Sequence, residues 1–90
     1  MHFRQILKSL SKTHDGKGLI KKILFKNKHR LSLEDFCLLE YTFFEKLSVY
    51  NICNKLILTE PTYYNHLKNA VCKFEGLISD DEYREIIKLI

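Results

Sequence analysis

Apolar residues recur along this chain at intervals of three and four positions, the spacing with which an α-helix buries one face. The first helix is predicted from such a set: Phe3, Ile6, Leu7 and Leu10. A turn at residues 15–18 (Asp-Gly-Lys-Gly) precedes a second, short helix with its own set: Leu19, Ile20, Ile23 and Leu24. Since no segment shows the convincing alternation of a β-strand, the pattern predicts an all-α protein.

Hydroxyl residues mark where the next helices begin. Ser32 and Asp35 predict a capping box that opens a central, heavily buried helix running to about Lys46. Ser48 is expected to cap a fourth helix, which extends from Val49 to about Leu56.

The last two helices carry further start and stop signals. Thr59 is expected to cap a fifth helix that tolerates Pro61 in its first turn, where the missing N–H would have had no partner. Gly76 predicts the end of that helix, and a capping box at Ser79 and Glu82 opens the last one. The expected fold is a single small helical domain, residues 1–90, with five to six helices.

Composition places the chain among folded proteins outside the membrane. It is 46% hydrophobic and 29% charged, and no apolar run approaches the roughly 18 residues that cross a bilayer. The N-terminus lacks the apolar core and cleavage site of a secretory signal, so we expect a cytoplasmic protein without a membrane partner. Cys37, Cys53 and Cys72 are far apart, which favours buried small side chains over a disulfide or a metal site.

The net charge of +4 is unevenly distributed. Residues 1–30 carry nine Lys or Arg against one Asp, and residues 31–90 carry six against ten acidic residues. The first segment either contacts phosphate or another acidic partner, or balances the acidic half within the fold. We predict the former, through a basic arm: Lys17, Lys21, Lys22, Lys26, Lys28 and Arg30.

The fourth and fifth helices, with the turn between them, have the pattern of a DNA-binding helix-turn-helix. Ile52 followed by the small Cys53 is expected where the two helices cross, and Leu58 is expected to plug the turn. Tyr63 and Leu67 are predicted to anchor the second helix in the core. The exposed N-terminal half of that helix is then free to meet base edges.

This stretch resembles region 4 of the sigma-70 family and, more loosely, the helix-turn-helix of LuxR-type response regulators. The matching residues follow in register without gaps: Leu31-Ser32, Leu38-Leu39, Phe44-Glu45-Lys46-Leu47-Ser48, Ile52-Cys53, Leu56, Leu58-Thr59, Thr62-Tyr63, Leu67 and Ala70. The run Tyr64-Asn65-His66-Leu67 is similar to the response-regulator form. The resemblance covers Leu31 to Phe74 and implies a DNA-binding unit at residues 31–75, followed by a C-terminal helix at residues 79–90.

Four positions depart from the family's pattern. Lys46 stands where Gly is usual, Cys53 where Ala is usual, and Ile57 where Gly or Asn is common. A turn with positive φ would strain the β-branched Ile57, and Tyr63, which replaces the usual Val, requires a roomier core. Residues 1–30 do not resemble the promoter-melting regions of the family, so we do not expect a complete sigma factor.

The resemblance implies a recognition surface on the fifth helix: Glu60, Thr62, Tyr64, Asn65, Lys68 and Asn69. Asn65 would pair bidentately with an adenine, and Glu60 would accept from the N4 amine of a cytosine. Contacts to phosphate are predicted for four lysines: Lys46, Lys55, Lys68 and Lys73. His66 is expected to be a partly buried histidine.

The C-terminal helix presents an apolar edge that has two interpretations. It either closes the core of its own domain or forms a dimer seam that sets two recognition helices about one DNA turn apart. Five of the last eight residues have large apolar side chains, which is more than closing the core of one small domain requires. We therefore predict a homodimer through this seam: Tyr83, Ile86, Ile87 and Ile90.

The predicted function is sequence-specific binding of duplex DNA by a transcriptional regulator, without cofactor, metal or enzymatic activity. Cys and His are not arranged as a nucleophile pair, and the chain has no Gly-rich phosphate loop. The alternative is a small protein-binding regulator, for example phage-borne or from a mobile element, that contacts RNA polymerase or another protein. RNA binding is a third interpretation, but residues 1–30 lack interleaved aromatics for stacking bases.

Overall fold

A computed structural model describes residues 2–90, and this part of the chain contains six α-helices. They are α1 (Phe3–Leu10), α2 (His14–Lys26), α3 (Leu33–Leu39), α4 (Val49–Leu56), α5 (Glu60–Leu77) and α6 (Asp80–Lys88). A 3-10 turn, Lys28–Arg30, precedes α3, and a π-helical segment, Glu40–Phe44, follows it directly. No β-strand occurs within the described residues, so the predicted all-α class is confirmed.

One hydrophobic core joins all six helices, and α5 lies against most of them. The inner face of α5 is buried: Tyr63, Leu67, Ala70, Val71 and Phe74. Helices α1, α3 and α4 pack on this face, and the rings of Phe3 and Phe74 meet edge to face with centroids 6.0 Å apart. Helix α2 packs on α1 and α6, and thereby closes the other side of the core.

The prediction of a turn at residues 15–18 is wrong, because these residues belong to the first part of α2. Thr13 caps this helix by accepting a hydrogen bond from the Gly16 N–H over 3.0 Å. A Cβ atom on Gly16 would lie 2.5 Å from the Leu10 carbonyl oxygen. Glycine fits here because α2 begins close against the end of α1 and leaves no space for a Cβ atom. The backbone flexibility of glycine is not required at this position.

Helix starts downstream of residue 47 agree with the predicted caps. The side chains of Ser48 and Thr59 each accept a backbone N–H three residues on, and Ser79 and Glu82 form both halves of a capping box. The Ser79 N–H donates to the Glu82 carboxylate, and this bond, together with the ion pair to Lys26, lowers the pKa of Glu82. Helix α5 runs one residue past the predicted stop at Gly76.

The capping box predicted at Ser32 is only half formed. Ser32 accepts the Asp35 N–H over 3.1 Å, as expected. The Asp35 carboxylate, however, accepts from the Lys73 ammonium of α5 over 3.0 Å instead of returning to the Ser32 backbone. A tertiary ion pair has therefore replaced the local bond at the start of α3.

The central helix is less regular than predicted. Its α-helical part ends at Leu39, and the π-helical segment replaces the regular turns expected up to Lys46. This segment carries Thr42, whose hydroxyl lies 3.0 Å from the phenol oxygen of Tyr63. The π segment is thus where the fold accommodates a tyrosine at a core position and provides a partner for its hydroxyl.

Helix α6 divides the predicted dimer seam. Ile86 is fully buried in the chain's own core and Tyr83 packs against it, so these two residues close the fold. Ile87 and Ile90 are 49% and 55% exposed, and Leu89 beside them is also exposed. Only the outer half of the predicted seam is therefore free for a second chain.

Two of the three cysteines are half-buried, and one is exposed. Cys37 and Cys53 are half-buried free thiols, but Cys72 is exposed on α5, so the prediction of a buried side chain is wrong there. Across residues 2–90, every helix is too short or too polar to span a bilayer.

Candidate nucleic-acid interface

Helices α4 and α5 meet through a short turn that is built on buried anchors. Ile52 is completely buried where the helices cross, and Cys53 beside it is half-buried. The Leu58 N–H bonds to the Cys53 carbonyl over 2.9 Å, and the Leu58 side chain packs against the core. Tyr63 and Leu67 are both buried, as predicted for the second helix.

Two residues with positive φ flank α4. Among residues 2–90, two non-glycine residues have left-handed backbone: Lys46, at φ 53°, and Ile57, at φ 55° and ψ 56°. Left-handed backbone costs about 1–3 kcal/mol for residues with a Cβ, and β-branching makes it worse. The positive φ that would strain the β-branched Ile57 is therefore present in the turn.

Replacing Ile57 with glycine is therefore expected to stabilise the fold. The Ile57 side chain is 91% exposed, so its loss sacrifices little packing while the strained conformation is relieved. We expect Ile57→Gly to raise the free energy of unfolding by about 1 kcal/mol and Tm by about 4–8 °C. Thermal unfolding followed by circular dichroism measures both.

The matched control for this variant is Asn54→Gly. Asn54 is exposed inside α4, where glycine costs roughly 0.5–1 kcal/mol, so this variant is expected to be less stable than the wild type. If Ile57→Gly were destabilised as much as Asn54→Gly, the left-handed turn would be contradicted.

Beyond the turn, α5 presents a polar stripe to solvent. Five of the six predicted recognition residues are exposed, and we call them the recognition stripe: Glu60, Tyr64, Asn65, Lys68 and Asn69. The sixth, Thr62, is partly buried, and its hydroxyl accepts from that of Thr59 over 2.8 Å. Thr62 therefore helps to fix the start of α5, and its side chain is less available to a base.

The flank of α5 that faces α3 is electrostatically compensated. Besides the Lys73–Asp35 pair, His66 is partly exposed and its Nδ1 contacts the Glu34 carboxylate. Lys73 is a predicted phosphate residue, but here it already has a carboxylate within 3.0 Å. This flank is therefore a poor place for a further anion.

The opposite flank of α5 lies beside α1. The start of α1 and the exposed side of α5 enclose a cleft of about 550 Å³, whose lining includes Arg4, Tyr64, Asn65, Lys68 and the acidic Glu75. Arg4 also lines a second groove of about 340 Å³, between α1 and the segment that leads into α4. The basic residues of that second groove are Arg4, Lys8, Lys12 and Lys46.

Three of these groove residues were absent from the predicted site. Arg4 and Lys8 lie on the solvent face of α1, opposite its buried apolar face, and Lys12 lies in the turn just after the helix. The signal was present in the sequence as basic residues at a spacing of four along an amphipathic helix. What the pattern could not show is that α1 packs beside α5.

The predicted basic arm is a folded element. Its residues lie in α2 and in the 3-10 turn after it, and Ile20, Ile23 and Leu24 of α2 are buried in the core. Lys26 pairs with Glu82 of α6 over 3.2 Å, and the Lys28 ammonium lies 4.9 Å from the centroid of the Phe36 ring. Part of this charge therefore balances the acidic C-terminal helix, as the second interpretation of the charge pattern proposed.

Lys55 is the remaining predicted phosphate residue. It is exposed on α4, with its ammonium 5.8 Å from the centroid of the Tyr41 ring. Elsewhere in the described chain, no three His, Cys, Asp or Glu side chains lie close enough together to hold a metal ion.

Comparison with protein-family models, curated proteins and solved structures finds no match to this chain.

Proposed function

We propose that the protein is a transcriptional regulator that binds duplex DNA by placing the N-terminal half of α5 in the major groove. The observation that carries the proposal is the recognition stripe, a polar exposed face on a helix whose other face is buried. Helix α4 and the left-handed turn at Ile57 support the start of α5 in the way that a helix-turn-helix requires. Such a protein would act in the cytoplasm on double-stranded DNA.

The side chains on the stripe suit base edges in different ways. Asn65 is central and exposed, and its amide is able to pair bidentately with the N6 and N7 atoms of an adenine. Glu60, in the first turn of α5, is able to accept from a cytosine. Lys68 lies in the cleft next to Arg4, where both side chains are able to reach phosphates.

Base recognition by Asn65 predicts a specific loss of preference. After selection of a preferred site from a random duplex library, we expect Asn65→Ala to lose about 1–3 kcal/mol of discrimination at a single adenine. Preferences at the other positions should persist, because the phosphate contacts remain. Competition assays with duplexes that carry each single base change provide the measurement.

Asn54→Ala is the matched control, because it removes an exposed amide from the neighbouring helix α4. It is expected to leave the preference at that adenine unchanged. Equal effects of the two variants, or a preference unaffected by Asn65→Ala, would contradict base readout by Asn65.

The dimer is part of the same proposal. Ile87 and Ile90 remain exposed on α6 and are able to pair with a second copy. A two-fold dimer would read two half-sites about 10 base pairs apart, or a multiple of that spacing. A selected site with inverted repeats at such a spacing is expected, whereas a single half-site would favour a monomer.

A second candidate function, binding to a protein such as RNA polymerase, is favoured by exposed apolar side chains around the turn. Ile57 is 91% exposed and Tyr50 of α4 is 75% exposed. Large apolar groups at these positions suit a protein surface better than a phosphate backbone. Steep, salt-sensitive binding to duplex DNA is expected from the first proposal alone and decides between the two.

A further inference from the structure

The second groove beside α1 is lined by four basic residues, and we call it the basic groove: Arg4, Lys8, Lys12 and Lys46. None of these four residues has a carboxylate within ion-pair distance among residues 2–90. No Asp or Glu is among the residues that line the groove. The charged side chains on its walls are therefore all basic.

Two lysines elsewhere are neutralised by neighbouring carboxylates. Lys73 is paired with Asp35, and Lys26 of α2 is paired with Glu82 of α6. Within the described part of the chain, the four residues of the basic groove are unpaired and line one concave surface. Uncompensated charge is what releases counterions from DNA, so we expect the basic groove to suit phosphate better than the α2 row, whose last lysine is paired.

The three basic residues at the N-terminus suit an extended polyanion. Arg4 and Lys8 lie about one turn apart on α1, roughly 6 Å at 1.5 Å per residue, and Lys12 follows in the turn after the helix. A DNA strand carries one phosphate per about 3.4 Å of helix axis, so each of the three side chains is able to reach a phosphate of its own. Lys46 adds a charge from the opposite wall of the groove.

We infer that the basic groove binds the phosphate backbone of one DNA strand while the recognition stripe of α5 lies in the adjoining major groove. Arg4 connects the two sites, because it lines both the basic groove and the cleft that contains Asn65 and Lys68. This inference rests on the proposed function. It assigns to α1 the phosphate contacts that the charge pattern alone had assigned to α2 and the residues after it.

The test compares two triple variants of the full chain that each remove three charges from the N-terminal region. One is Arg4→Gln/Lys8→Gln/Lys12→Gln, in α1 and the turn after it, and the control is Lys17→Gln/Lys21→Gln/Lys22→Gln in α2. Binding to a labelled random-sequence duplex is measured over a salt series. Each lost phosphate contact lowers the slope of log K against log salt by about 0.9.

We expect the α1 variant to lose about 2–3 from the magnitude of the slope and to bind at least about 10-fold more weakly at low salt. The α2 control is expected to keep a slope within about 1 of the wild type. The double variant Lys8→Gln/Lys12→Gln, which changes exposed lysines only, is expected to lose about 1.8 and serves if the triple variant does not fold.

A wild-type slope in the α1 variants, or an equal or larger loss in the α2 control, would overturn the inference while leaving duplex binding intact. Failure of the wild-type chain to bind duplex DNA would instead overturn the proposed function, and the inference with it. The wild-type titration therefore separates the two failures.

Discussion

A chain that begins at Leu31 is expected not to fold. Helices α1 and α2 contribute seven buried apolar side chains to the common core: Phe3, Ile6, Leu7, Leu10, Ile20, Ile23 and Leu24. Burial of each such side chain is worth about 1.5–3 kcal/mol, and without α1 and α2 the side chains that they cover, such as Phe74 of α5, would become exposed as well. The remaining core is then too small to offset the entropy of ordering residues 31–90, since a whole domain is stable by only about 5–15 kcal/mol.

Circular dichroism of residues 31–90 tests this expectation, and no cooperative thermal transition should be seen. The control is the full chain with Lys17, Lys21 and Lys22 changed to Gln, which removes charge from α2 but leaves its apolar face intact. This control should unfold cooperatively. A sharp transition in the fragment would show that the α4–α5 unit is independent of α1 and α2.

Reversing one charge on the recognition stripe is expected to have the second large effect. Lys68 is exposed on α5 and lies in the cleft beside Arg4 and Asn65. Lys68→Glu would place a carboxylate where the ammonium of Lys68 is proposed to face DNA phosphates. Repulsion between a carboxylate and a phosphate in close contact costs several kcal/mol when it is little screened. We expect duplex affinity to fall about 10- to 100-fold, with the unfolding transition unchanged because the residue is exposed.

Lys22→Glu is the matched control, since it makes the same charge change at an exposed position of α2. Its effect is expected to be a few-fold at most, because Lys22 lies outside the recognition stripe, the basic groove and the dimer seam, and long-range charge is screened over about 10 Å at 0.1 M salt. Similar losses for the two variants would show that net charge alone governs binding. The recognition stripe would then have no special role.

Local signals in the sequence account for most of the fold. Ser48, Thr59 and Ser79 predict helix starts correctly because a cap depends only on a side chain and a backbone N–H three residues away. The buried set of α1 is predicted equally well from its spacing. These features involve short-range geometry, which the residues of one segment determine together.

Predictions were wrong where distant segments meet. Gly16 lies in a helix because the end of α1 packs against it, and Asp35 turns to Lys73 because α5 passes nearby. The π-helical segment accompanies the contact between Thr42 and Tyr63, which are 21 positions apart. No local pattern contains these contacts.

The candidate site also has a part that local sequence predicts and a part that depends on distant contacts. Exposure of Asn65 and Lys68 follows from the helical period of α5, so the stripe was predictable. The basic groove depends on α1 packing beside α5 and beside the segment that carries Lys46, and neither contact is visible in the sequence. The total charge of residues 1–30 was informative, but the helix that presents it to a partner was not identified.

Whether the protein binds duplex DNA is decided by titrating the wild-type chain against a labelled random-sequence duplex across a salt series. Fluorescence anisotropy at increasing salt, with the single strand of the same length as competitor, gives both affinity and preference. The account predicts tight binding at low salt, a steep linear fall of log K with log salt, and weaker competition by the single strand. Absence of duplex binding at about 50 mM salt, the low end of the range where such contacts are strong, would contradict it.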